Sequence, residues 1–218
     1  MGLRTSLSDG DRVLVADTST IINLNATRYS EDILKALPCR VTAVDVVREE
    51  LESGRSKGRS DAARFEALVG DGLIEVVSLG SDGLLHFEGL VIGSASETLD
   101  DGEAATIAFA AEAGAVALID ERKALRLGAT RFPSLRLAST VDLLAHPAVI
   151  STLGSSALAD AIFNALAGAR MRVLPHHIAG VVELIGPDRA AECVSLPREA
   201  RKGKAARQRN RRKDAANR

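Results

Sequence analysis

The chain has 218 residues, 46% of them hydrophobic and 26% charged, with a formal net charge of −1, which fits a globular protein of one sizeable domain plus an appendage. Aromatic residues make up only 3%, with no Trp and one Tyr, so the core is built from Ala, Leu, Val and Ile, and a module that reads single strands by aromatic stacking is disfavoured. Cys39 and Cys193 form no CxxC pattern, no run reaches the roughly 18 apolar residues of a membrane span, and the polar opening lacks a signal-peptide core, so free thiols, no membrane partner and a cytoplasmic location are expected.

Residues 12–16 (RVLVA) read as a buried strand that delivers Asp17 into the turn Asp17-Thr18-Ser19, ahead of a helix around Ile21, Ile22 and Leu24. A helix over 31–37 stops before Pro38, a short strand over 40–43 follows, and 44–53 reads as a helix with Val44, Val47 and Leu51 on one face and Glu50 near it. The segment 53–60 (SGRSKGRS) is a Gly and Ser loop carrying three basic residues, followed by a helix over 61–69 and a strand over 74–77. Gly83, Gly89 and Gly93 interrupt residues 80–96, which read as a loop with one helical turn. An alanine-rich helix opens at Leu99-Asp100-Asp101-Gly102-Glu103 and ends at Gly114, and 115–119 is a buried strand that stops at Asp120. A helix over 121–127, a strand over 135–138 and a helix over 139–145 complete the alternation of an α/β fold, a mostly parallel sheet with helices on both faces.

After Pro147 the strand signals fade. Helical spacing over 157–167 and 178–185, with a short helix from Pro187, makes residues 147–197 a helical extension of a domain spanning 1–146. Residues 198–218 hold ten Lys or Arg against two acids, a charge of +8, which leaves −9 on the rest. This basic tail has too few apolar residues to pack and is expected to be disordered. A basic tail on an acidic body is a pattern of nucleic-acid contact.

Four acids, Asp17, Glu50, Glu103 and Asp120, stand where an apolar run gives way to a turn or helix. Strand ends in an open α/β sheet lie at one rim, so acids distant in sequence can converge there. Hard oxygen ligands without Cys or His suit Mg2+ or Mn2+, and close carboxylates repel one another until a cation neutralises them. Each acid also has an ordinary explanation: Asp17 as a turn or N-cap residue, Asp100 with Glu103 as a capping box, Asp120 as the cap of the next helix, and Glu50 as a solvated charge beside Glu49. Their shared placement favours a common site.

The segments VLVADTSTIINL, VVREELESG, LDDGEAATIAFA and VALIDERKALRLG closely resemble, in order, the motifs of PIN-domain nucleases, nearest to the bacterial and archaeal branch related to VapC-type toxins. The likeness covers residues 12–145. It implies a PIN-like α/β/α sandwich and a Mg2+- or Mn2+-dependent endonuclease site acting mainly on RNA. By position it makes Asp17, Glu50, Glu103 and Asp120 catalytic and Asp17, Glu103 and Asp120 metal ligands. Ser19 matches a nearby polar position, and Asp101, Glu49 and Glu121 are the substitutes if the register shifts by one or two residues. Glu103 stands where the toxins commonly have Asp. A toxin-like role further implies an inhibitory antitoxin protein, and the family a homodimer.

An acidic pocket needs a basic rim to draw RNA in. Arg55, Lys57 and Arg59 after Glu50, and Arg122, Lys123 and Arg126 beside Asp120, are the candidates, with solubility as the plainer explanation. His176 and His177 read as one surface and one core residue. Two classes of function stand: a metal-dependent endoribonuclease, and a PIN-fold RNA-binding or regulatory module with a weak metal site. The presence of all four acids favours the first. A haloacid dehalogenase-type phosphatase would require a second Asp where Ser19 stands.

Overall fold

Strand β1 (Val13–Ala16) sends alternate side chains into two apolar layers, Leu14 and Ala16 into one and Val13 and Val15 into the other, as the two-residue period of a strand buried on both faces requires. A computed structural model describes residues 2–55 and 60–202. Around β1 are β2 (Arg40–Val44) and β3 (Ile74–Val77) on one side and β4 (Val116–Leu118) and β5 (Arg136–Ala138) on the other, in the order β3-β2-β1-β4-β5. Every neighbouring pair is parallel. The strand order reverses between β1 and β4, which opens a crevice at their C-terminal ends.

Parallel neighbours need crossovers, and helices supply them. Helices α1 (Thr18–Thr27) and α2 (Ser30–Ala36) lead to β2, α3 (Asp45–Arg55) and α4 (Asp61–Gly70) to β3, α5 (Ser81–Val91) and α6 (Asp101–Ala113) to β4, and α7 (Arg122–Arg131) to β5. One layer gathers Ile21, Ile33, Val47 and Phe65 from the first four helices; the other gathers Leu90, Ala104, Ile107 and Ala124 from α5 to α7. The result is an α/β/α sandwich on an all-parallel sheet. Helices α8 (Thr140–Leu144), α9 (Pro147–Gly168), α10 (Ile178–Ile185), α11 (Pro187–Glu192) and α12 (Arg198–Arg201) follow on the first layer.

Three places depart from the sequence reading. Residues 80–96 contain the full helix α5 rather than a loop with one turn. Gly83 is buried against α6, where a Cβ would overlap the Glu112 carboxylate, and Glu112 also accepts from Gly80 N at 3.1 Å. Close packing against α6 thus overrides the roughly 1 kcal/mol that a helical glycine costs. Helix α9 begins ten residues before the expected 157 and breaks at Gly154 (φ 70°, ψ 169°). It is long and apolar enough to cross a membrane, yet Val149, Leu158, Ile162, Ala165 and Leu166 are buried in the core it shares with α1 and α2. Finally, α12 falls in the first residues of the basic tail and buries Ala200. The rest of that tail, 203–218, lies outside the described residues, as do Lys57 and Arg59.

Candidate functional site

The register sets Ala16 beside Leu118, so Asp17, one residue beyond β1, and Asp120, two residues beyond β4, both come to the crevice. Asp17 is 1% exposed. It caps α1, accepting from Thr20 N at 2.7 Å, and the Ser19 hydroxyl donates to its other oxygen at 2.8 Å. Its ordinary capping role and its place in the crevice coexist, because the cap uses only part of the carboxylate's accepting capacity. Asp120, 2% exposed, does not cap α7; Glu121 does, accepting from Lys123 N. Instead Asp120 accepts from Thr140 N at 2.8 Å, Thr140 Oγ1 at 2.5 Å and Asn23 Nδ2 at 2.8 Å.

Glu50 reaches the crevice from α3. It accepts from Gly102 N at 2.9 Å and from the Thr18 hydroxyl, so it is an anchored group rather than a solvated charge. Gly102 must be glycine for this contact: a Cβ there would overlap the Glu50 carboxylate and lie 2.8 Å from Thr18 Oγ1. Glu103 follows in the first turn of α6, half-buried. Asp100 makes no side-chain cap bond, so the expected reciprocal capping box is not formed and Glu103 is not consumed by it.

The electrostatics tie the four acids together. Burial pushes the Asp17 carboxyl up, its Thr20 and Ser19 bonds oppose the rise, and the Glu50 charge adds to it. Glu103 is pushed up to about 7 by burial and by the charges of Asp17 and Asp100, against the pull of Lys123 and Arg172. Asp120 also rises to about 7, from burial and then Asp17, despite the Thr140 and Asn23 bonds. Asp17 is therefore the common neighbour of Glu50, Glu103 and Asp120. Among the described residues, carboxylate oxygens meet there with a repulsion that Lys123 and Arg172 only partly offset, a donor set that fits a hard divalent cation.

The remaining candidates surround this centre unequally. Ser19 touches Asp17, whereas Asp101 is exposed, and it is Asp100 whose charge acts on Glu103. Arg122 is exposed; Arg55 is exposed and pairs with Glu52 at 3.2 Å. Lys123 Nζ donates to Ala95 O at 2.6 Å and Arg126 to Ser96 O at 3.4 Å, so both brace the turn before α6. Sequence reasoning missed Thr18, Asn23, Gly102, Thr140 and Arg172. Thr18 and Gly102 lie inside the quoted motifs as a polar and a small residue next to an acid, a legible signal; Asn23, Thr140 and Arg172 carry none.

A second cluster lies on the same layer as α8. Asp142, His176 and His177 have ligand atoms within 4.8 Å of one another, but Asp142 and His177 use theirs on the fold. The Asp142 carboxylate accepts from Ser6 N at 2.8 Å, Ser139 N at 2.9 Å and the Ser139 hydroxyl, and His177 Nε2 donates to it at 3.1 Å. With His177 buried and His176 exposed, this is a structural knot joining the N-terminal arm, α8 and α10.

Comparison with curated proteins and with solved structures yields no match. A sequence family, DUF3368, described as a PIN domain, matches residues 13–187, from the first residue of β1 to the first of α11, and so includes all four crevice acids together with α9 and α10. With that match, an all-parallel α/β/α sandwich and acids gathered at its central crevice, the chain belongs to the PIN-domain family, whose fold is of the nuclease type.

Proposed function

We propose that the protein is a divalent-metal-dependent endoribonuclease that hydrolyses RNA phosphodiester bonds. The observation that carries this reading is the convergence of Glu50, Glu103 and Asp120 on Asp17, with Glu103 and Asp120 held near a pKa of about 7. Asp17, Glu103 and Asp120 would hold Mg2+ or Mn2+. When bound, such a cation neutralises phosphoryl oxygens and supplies an acidic water as the source of the nucleophile.

The chain's own residues prepare the site. Donors from Ser19 and Thr20 hold Asp17, and donors from Asn23 and Thr140 hold Asp120, so these carboxylates are oriented before a substrate arrives. Thr18 and Gly102 N fix Glu50 in the same way. Arg55, Lys57, Arg59, Arg122, Lys123 and Arg126 form the basic rim in this reading, and the tail over 198–218 adds sequence-independent affinity for phosphate. The motif resemblance supports a toxin-like member of the VapC-related branch, acting in the cytoplasm, checked by an antitoxin protein and working as a homodimer. In the same reading residues 1–146 are the nuclease unit, 147–197 the helical extension and 198–218 the tether.

The test is incubation of the purified full-length chain with a mixed RNA pool, with and without manganese, followed by mapping of new ends. Manganese-dependent new ends that vanish in Asp17→Asn are expected. RNA binding without cleavage under any divalent cation would make the protein an RNA-binding PIN module instead.

A further inference from the structure

The helical extension places one cation at the acidic crevice. Between α9 and α10 the chain runs past Arg170, whose φ of 56° turns the backbone, and Met171 N bonds to Ala165 O at 3.1 Å. Met171 and Val173 are buried while Arg172 between them is exposed. The two flanking side chains plug the core and so fix the direction of the third. The Arg172 guanidinium meets the Glu121 carboxylate in an ion pair, and Glu121 directly follows Asp120. Its charge also acts on Glu103.

Arg172 differs in kind from Lys123, Arg126 and Arg55. Lys123 and Arg126 donate to backbone carbonyls of the neighbouring turn, and Arg55 to Glu52 on its own helix. Arg172 instead comes from a part of the chain with no acid in the cluster, and its planar fork, matched to two oxygens of a phosphate, stands beside that cluster. We infer that Arg172 is a substrate-binding residue that grips an RNA phosphate next to the scissile one, and that Glu121 holds the guanidinium ready in the free protein. This inference rests on the endoribonuclease reading. It gives the extension a function in the site: the segment between α9 and α10 adds a phosphate clamp to the rim of the sheet domain.

Glu121 need not be lost when RNA binds, because a guanidinium has five N–H donors and the ion pair leaves some of them free. An exposed ion pair is worth little by itself, so removing it leaves the fold intact. Glu121→Gln should therefore keep the structure while loosening the aim of Arg172.

The test compares the full-length protein, Arg172→Ala, Arg172→Lys, Glu121→Gln and Arg40→Ala, the last removing an exposed cation at the opposite end of β2. KM and kcat are measured on a single-stranded RNA with manganese, and manganese affinity is measured without RNA. Arg172→Ala should raise KM about tenfold, the size of one charge-assisted hydrogen bond, with kcat and manganese affinity changed much less. Arg172→Lys should recover part of the loss, Glu121→Gln should show a smaller rise, and Arg40→Ala should match the parent. If the parent cleaves and Arg172→Ala has the same KM, Arg172 is a bystander and the inference fails alone. If Arg172→Ala binds manganese about tenfold more tightly with KM unchanged, the guanidinium only neutralises the acids and the inference is overturned. A parent that cleaves no RNA overturns the endoribonuclease reading and takes the clamp with it.

Discussion

Asp120 and Asp142 are almost equally buried, 2% and 3% exposed, and both accept bonds from the start of α8, Asp120 from Thr140 and Asp142 from Ser139. Their carboxyls nevertheless move in opposite directions. Asp120 rises to about 7, from burial and the Asp17 charge. Burial pushes Asp142 up as well, but His177, Ser139 and Ser6 bonds outweigh it and hold the group well below the ordinary carboxylate range. Both acids are met by donors, and the difference lies in what else each one faces: Asp120 has the Asp17 carboxylate beside it, whereas Asp142 has the His177 imidazole and no acid among the causes of its shift. A buried acid whose donors outweigh its burial is finished structure, whereas one that keeps a second carboxylate for a neighbour is suited to a cation.

The largest expected effect comes from removing the hub of the crevice. Asp17→Asn should lower manganese-dependent cleavage by about two orders of magnitude or more, a loss of the size seen when a key electrostatic group is removed. Stability without metal should hold or improve, because Asn can still accept from Thr20 N and donate to Ser19 while one of four repelling charges is gone. Cleavage kinetics and a urea titration check both halves. A variant that cleaves like the parent would remove Asp17 from the site.

How much of this contrast was legible follows from how each acid is used. All four crevice acids end apolar strands or sit in short motifs, so periodicity and turn chemistry located them, and the parallel sheet followed from the alternation of elements. The partners that fix them were not legible, since Asn23 and Thr140 meet Asp120 only through packing of α1 and α8. Helix α5 was hidden because Gly83 and Gly89 oppose a helix locally, and only at Gly83 does contact with α6 favour the glycine. Asp142 carries no signal in the sequence, since Ser6 and His177 reach it only through the fold.

A smaller effect sharpens the geometry of the crevice. Alanine is a better helix former than glycine, so Gly102→Ala would by propensity gain up to about 1 kcal/mol. Here the added methyl must displace Glu50. We expect cleavage to fall about tenfold, the price of a misplaced active-site group of modest shift, with no gain in melting temperature. Normal cleavage with a raised melting temperature would mean that the Glu50 position is irrelevant.

The knot should respond in the opposite currency. His177→Ala leaves the Asp142 carboxylate short of a buried donor and should cost roughly 1–3 kcal/mol of stability, while in the proposed reaction the KM and manganese dependence of the folded protein stay as they are. Loss of manganese dependence in that variant would make the knot part of the site.

Metal-free stability should also separate the two regions by pH. Asp120 and Glu103 have folded pKa values of about 7, above their ordinary 3.8 and 4.5. Their stabilising contribution is thus complete below about pH 4 and lost as pH rises through 7. Asp142, shifted down, contributes stability that is present above its ordinary 3.8 and lost as pH falls below it. Melting temperature without metal should therefore decline from pH 5 to pH 8, and saturating manganese should oppose the decline, since a ligand at about 100 times its Kd adds roughly 2.7 kcal/mol. A curve that rises over this range without metal would contradict the crevice electrostatics.

The most direct test is a calorimetric manganese titration of the full-length parent, Asp17→Asn and His177→Ala at pH 8. The parent and His177→Ala should bind manganese alike, and Asp17→Asn at least about tenfold more weakly, the loss of one charged ligand being worth 1.4 kcal/mol or more. Equal binding by the parent and Asp17→Asn, with weakened binding by His177→Ala, would place the cation in the knot and contradict the assignment of the crevice as the metal site.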